Sequence, residues 1–150
     1  MDHNFAGNDK LIISCDKNLL DFDMIHQYLS QDSYWSKGIP RHVVEKAAQN
    51  SLCFGVYFNG KQIGYARIIS DFASFAYLAD VFVLPEYRGQ GISKKLMDFI
   101  MNHEDLQGLR RWMLATLDAH GLYQQFGWKT MANPERFMEV HFPNVYQPIQ

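Results

Sequence analysis

Apolar residues along this chain change their spacing several times, and each change marks an element. Leu11-Ile12-Ile13-Ser14 is a short run of strand length, after which Phe22, Ile25 and Leu29 recur at helical spacing with Met24 and Tyr28 beside them. Gly38-Ile39-Pro40 interrupts the chain, and Pro40 suits the first turn of a second helix whose stripe is Val43, Val44, Ala47 and Ala48. Tyr34-Trp35-Ser36-Lys37 then forms an aromatic loop between two helices. Leu52 to Phe58 and Gln62 to Ile69 read as strands joined at Asn59-Gly60, a pair that tolerates positive φ and so predicts a tight hairpin. A third run, Phe75 to Leu84, is apolar on both faces, which predicts a strand at the centre of the sheet, reached by an antiparallel meander.

Helical spacing returns after Gly91 with Ile92, Leu96, Phe99 and Ile100 and ends near His103. Arg111 to Thr116 predicts another strand. Ala119, Leu122, Tyr123 and Phe126 predict a last helix, with Asp118 placed to cap its start and Gly127 to end it. Two short strands, near Trp128 to Met131 and Phe137 to His141, are expected to close the domain, and from Pro143 onward the chain reads as a loosely held tail. The order predicts an α+β fold, an α/β three-layer arrangement with a mixed, mostly antiparallel central sheet flanked by helices. One domain is expected over 1–150, with its core at about 11–141 and a tail at 142–150.

Composition narrows the function. An apolar share of 47% with 20% charged residues excludes disorder, and fourteen basic against sixteen acidic residues give a net charge of −2, with no positive field to hold nucleic acid. The first ten residues lack the order of a signal peptide, and the apolar stretch from Phe75 is broken by Asp80 well short of the ~20 residues of a membrane span. Cys15 and Cys53 form no CxxC pair, which fits reduced thiols in a cytoplasmic protein. His103-Glu104 lacks the HExxH spacing, so no metal is expected. Cys53, with no adjacent histidine motif, reads as a buried strand thiol and not as a nucleophile.

The informative segment is Val81-Phe82-Val83-Leu84-Pro85-Glu86-Tyr87-Arg88-Gly89-Gln90-Gly91-Ile92-Ser93, a strand, a tight turn and a helix start. Glycines at 89 and 91 allow close backbone approach, and a helix that begins there presents unpaired N–H groups and the positive end of its dipole. A diphosphate suits such a site. A P-loop would need GxxxxGK followed by Ser or Thr, and a dinucleotide fingerprint would need a third glycine where Lys94 stands. A glycine-rich turn without a ligand is the plain structural reading.

Two stretches together resemble the GCN5-related N-acetyltransferase (GNAT) family. Arg88-Gly89-Gln90-Gly91-Ile92-Ser93 is similar to its Gln/Arg-x-x-Gly-x-Gly/Ala pattern with Ser93 at the last position, and Leu122-Tyr123-Gln124-Gln125-Phe126-Gly127-Trp128 resembles its Leu-Tyr-x-x-x-Gly-Phe element with Trp128 for Phe. The likeness covers about residues 11–131. It implies the acyl-CoA N-acyltransferase fold and acetyl-CoA as co-substrate. It further implies a small-molecule or protein amine as acceptor and the possibility of a homodimer through terminal strands. By the same resemblance Val81, Phe82 and Val83 would face the pantetheine arm, residues 88–93 would wrap the pyrophosphate, and Thr116 and Ala119 would stand beside the cofactor. Thr116 occupies a position where the family often has Asn.

Tyr123 matches the family's general acid, against the plain reading of an amphipathic core tyrosine. Asp80 is either a general base or a carboxylate paired with Arg67 or Arg111. Asp118 is either a base or a helix cap, and His120 either a base or an acceptor contact. Tyr34, Trp35, His42, Phe75 and His120 are the expected acceptor-side residues. A catalytically silent acetyl-CoA-binding sensor or interaction module is the alternative to an enzyme.

Overall fold

The computed structural model describes residues 9–147. The polar start of the chain before residue 9 and the end of the expected tail after 147 lie outside the described residues. Strand β1 (Leu11–Ser14) leads to helix α1 (Phe22–Gln27), which continues as a π turn over Tyr28–Asp32, and then to α2 (Arg41–Gln49). Strands β2 (Leu52–Phe58), β3 (Lys61–Ser70) and β4 (Phe75–Val83) follow as a meander, then α3 (Ile92–Met101), β5 (Arg111–Leu114) and α4 (His120–Gln124). The sheet runs in chain order from β1 to β5, antiparallel throughout except for the parallel β4–β5 pair.

Local chemistry explains the boundaries. Asp21 accepts from Met24 N–H to start α1, and Pro40, with its fixed φ, sits at the head of α2. Asn59 and Gly60 take φ of 50° and 84°, the mirror-image turn that matches the twist of a two-residue hairpin. β3 carries one extra residue, since Val56 faces Gly64 while Tyr57 faces Gln62. That bulge puts Ile63 on the same face as Ala66 and Ile68.

Two apolar layers cover the sheet. Phe54, Val56, Ile68, Leu96, Met97 and Ile100 form the larger core with α3 and α4, and Ile25, Leu29, Val44, Ala48, Tyr65 and Phe82 form the other beneath α1 and α2. Helices on both sheet faces make the three-layer architecture expected from the sequence.

Several expectations are corrected. β4 lies inside the sheet but next to its edge, with β3 at the centre. β5 ends at Leu114, two residues early, because β4 diverges from it beyond that point. Asp118 does not cap α4: Ala119 occupies the cap position, and its own N–H donates to Thr116 Oγ1 at 3.1 Å. Gly127 does terminate that helix with φ of 89°. The two closing strands are absent among the described residues, where 128–142 holds only a short 3₁₀ turn at Pro134–Arg136 and β5 pairs with β4 alone. The tail is also held at one point, since Tyr146 packs against the α1–α2 core.

Candidate active site

The site begins with a defect in β4. Tyr65 faces Phe82 but Arg67 faces Ala79, so Asp80 and Val81 together occupy the space opposite one residue of β3. Asp80 adopts φ of 56°, in the left-handed region. The extra residue reverses the strand's parity: Ala76 and Leu78 face the α3–α4 core, whereas Phe82 faces α1 and stacks on Tyr28 with ring centroids 3.9 Å apart. Pairing between β4 and β5 runs from Phe75↔Arg111 to Leu78↔Leu114 and stops. From Ala79 to Val83 the strand is therefore unpaired on its β5 side, and this stretch holds Val81, Phe82 and Val83, the residues expected beside the pantetheine arm.

At the open end of the splay the chain makes the glycine turn. Gly89 and Gly91 take φ of 77° and 79°, and no side chain caps α3 at Gly91. The first intrahelical bond runs from Lys95 N–H to Gly91 O at 3.2 Å, so the amides of Ile92, Ser93 and Lys94 precede the ladder. A cavity of about 270 Å³ meets them, lined by Val83, Arg88, Gly89, Gly91, Ile92 and Ser93 together with Tyr87, Lys94 and Leu122. Gln90, expected in the same set, is outside this lining. A Cβ added at Gly89 or Gly91 would meet no protein atom within 4 Å, so the turn leaves open space that a diphosphate fits. Arg88 Nε donates to Val83 O at 2.9 Å and its Nη2 to Tyr28 Oη at 2.8 Å, so the guanidinium fixes the turn to the strand end. Tyr28, Tyr87 and Leu122 are not among the cofactor or acceptor residues expected from the sequence.

Tyr123 stands on α4 between two cavities. It is 8% exposed and lines a larger space of about 850 Å³, while its neighbour Leu122 lines the smaller one. Burial first, and then Tyr34 and Asp118, push its hydroxyl up to about 12, so it keeps its proton across the neutral range. Thr116 and His120 line the same large cavity, Thr116 with its hydroxyl engaged by Ala119 N–H. Ala119, as the α4 cap residue, positions that helix and does not line either cavity.

On the α1–α2 face, Asp80 is the ion-pair partner of Arg67. Its Oδ2 accepts from Arg67 Nε at 2.9 Å and its Oδ1 from Trp35 Nε1 at 2.9 Å, and the two charged side chains are 10% and 15% exposed. Both carboxylate oxygens are engaged, which favours the ion-pair reading over the general base. Arg67 also donates to Ser51 Oγ at 3.1 Å. Tyr34 reaches across the splay, where its Oη accepts from Leu117 N–H at 2.9 Å. Tyr34 and Trp35 thus bind the α1–α2 loop to both arms of the opening. Two expected acceptor residues do not gather there: His42 is exposed in the first turn of α2, and Phe75 faces Arg111 in the closed part of the ladder, roughly 20 Å along the strand from Val81. Among the described residues no cluster of His, Cys, Asp and Glu could hold a metal ion.

The chain is similar to proteins of one family. A family model described as an acetyltransferase (GNAT) domain matches residues 49–130. A Gibberella zeae protein assigned as an acetyltransferase, FG08082, is 35% identical, over 80% of this chain and 78% of its own length. A crystal structure of a GNAT-family protein from Xanthomonas campestris superposes with a TM-score of 0.91 at 52% identity, covering 93% of this chain and 98% of that one. Thialysine N-epsilon-acetyltransferase of Mus musculus is 33% identical over 44% of this chain and 41% of its own length.

Proposed function

The chain belongs to the GNAT family of acetyltransferases, and from that premise we propose that it acetylates a primary amine of a small molecule or of a protein, with acetyl-CoA as donor and by direct attack. The observation that carries this reading is the uncapped head of α3, delivered by two left-handed glycines to the mouth of the β4–β5 splay. Amides of Ile92, Ser93 and Lys94 bind the diphosphate, and the splayed stretch around Val81 holds the pantetheine arm and aims the thioester between the strands. The mouse relative's name, an N-epsilon-acetyltransferase, supports an amine acceptor.

Bound acetyl-CoA supplies the activated acyl carbon. The amine lone pair forms the new C–N bond there and the C–S bond then breaks, the departing thiolate takes the Tyr123 proton, the amine's surplus proton leaves to solvent, and Tyr123 regains a proton from solvent. Tyr123 suits that role because burial keeps it protonated at neutral pH while it still lines the cavity. We read the whole chain as one catalytic domain. No helix among the described residues is long and apolar enough to cross a membrane, and Cys15 and Cys53 are unpaired, in keeping with a cytoplasmic location.

The test is release of free coenzyme A with a panel of amines. Turnover with at least one amine, falling about 10²-fold or more in Tyr123→Phe with acetyl-CoA affinity unchanged, is expected. Tight acetyl-CoA binding without turnover on any amine would return the protein to a sensor or binding module.

A further inference from the structure

The larger cavity, about 850 Å³ beside β5, carries charge of one sign. An aromatic wall leads away from Tyr123: Trp128 packs against it with ring centroids 6.0 Å apart and meets Trp112 edge-on at 5.9 Å. Next to Trp112 comes Arg111, whose guanidinium lies 4.6 Å from the centroid of the Phe137 ring. Arg111, Lys129 and Arg136 all line this space, and no aspartate or glutamate does, in a chain that has sixteen. Asp118 and Glu135 fall between lining residues in the chain and lie outside the lining. None of the three cations makes an ion pair among the described residues. Like charges gathered around one concavity repel each other, and an anion placed among them turns that repulsion into attraction.

We infer that the cavity takes a small primary amine bearing a carboxylate or phosphate, with the anion among Arg111, Lys129 and Arg136 and the amine at Tyr123. This rests on the acetyl-transfer reading above and gives that site its acceptor class. The volume suits a small molecule, since such sites span about 300–1,000 Å³. Trp112 and Trp128 offer apolar faces to the carbon chain between the two polar ends. The charge also serves the chemistry. Cations around the site disfavour an ammonium, so a bound amine sheds its proton more readily and attacks as the neutral nucleophile. Because both carboxylate oxygens of Asp80 are engaged elsewhere, that effect supplies a nucleophile without a carboxylate base. A diamine would bring a further positive charge among the three and is rejected.

Primary amines of equal chain length, ending in carboxylate, phosphate, hydroxyl or ammonium, separate the alternatives. Calorimetry on the protein saturated with coenzyme A reads their affinity without turnover, and coenzyme A release from acetyl-CoA reads kcat/KM. At least one anionic amine should be favoured about tenfold or more over the hydroxyl amine in both, with the diamine weakest, and the better of the two anions identifies the group. Arg111→Gln should cut the ratio of anionic to hydroxyl amine about fivefold or more, through KM and not kcat. Lys129→Gln, at an exposed position, gives the same reading should Arg111→Gln lower the melting temperature. Selective binding of an anionic amine without turnover would keep the anion site and overturn the acetyl-transfer reading. Turnover with no preference for an anion, or with the diamine preferred, overturns the inference and leaves acetyl transfer standing. Failure of both anionic amines to bind overturns it as well, and so does a preference that survives both substitutions.

Discussion

The Arg67–Asp80 pair can be broken from either end, and the two ends have different consequences. Arg67→Met removes the guanidinium and leaves a carboxylate of 10% side-chain exposure with only the Trp35 N–H. Stranding a fully buried charge costs about 3–5 kcal/mol, and the residual exposure here lowers the expected loss to about 2–3 kcal/mol. For a chain of this size that is a drop of roughly 4–12 °C in melting temperature. Asp80→Asn is milder: asparagine tolerates the φ of 56° and can still accept from Trp35, so only the charge is lost, at about 1–2 kcal/mol. If Asp80 shapes the bulge and moves no proton, Asp80→Asn keeps kcat within about tenfold, whereas removal of a general base costs about 10²–10⁴-fold. Urea melts of both single variants and the double, with kcat at saturating acetyl-CoA, measure each quantity. A loss below about 0.5 kcal/mol in Arg67→Met would show that the pair does not hold the bulge. A 10²-fold fall in kcat for Asp80→Asn at native melting temperature would restore Asp80 as the base.

Gly91→Ala places a Cβ at φ of 79° with no protein atom within 4 Å, so its stability cost of about 1–2 kcal/mol is conformational alone. The methyl would project into the proposed diphosphate space, and calorimetry should show acetyl-CoA affinity reduced about tenfold or more; unaltered affinity would remove the diphosphate from this turn. Tyr57 carries a buried hydroxyl with no hydrogen-bond partner among the described residues, and burial pushes it, like Tyr123, up to about 12. Since the unfolded value is about 10, each folded-state rise stabilises the protein below that pH and is lost as pH climbs from about 10 to about 12. Tyr57→Phe should therefore leave stability at about pH 8 unchanged or slightly higher and make the alkaline decline shallower; an equal decline in urea melts at about pH 8 and about pH 11 would contradict it.

What the sequence disclosed is what neighbours in the chain decide. The Asn59-Gly60 hairpin, the Pro40 helix start and the left-handed Gly89 and Gly91 are each fixed by a few adjacent residues, and all were readable. Tyr28 grips Arg88 sixty positions away, and Tyr34 reaches Leu117 across eighty-three; no local pattern announces either. Asp80 illustrates the boundary. From the sequence it is either a base or the partner of Arg67 or Arg111, and the choice depends on the bulge, which turns Asp80 toward Arg67 on the α1–α2 face. The segment 137–142 carries a strand's alternation, and sequence alone supplied the strand without asking what it pairs with. Alternation sets which side chains share a face, whereas a strand exists only where another backbone offers its N–H and C=O groups. β5 pairs with β4 alone among the described residues and 137–142 holds no strand there, so alternation without a paired backbone leaves that segment irregular.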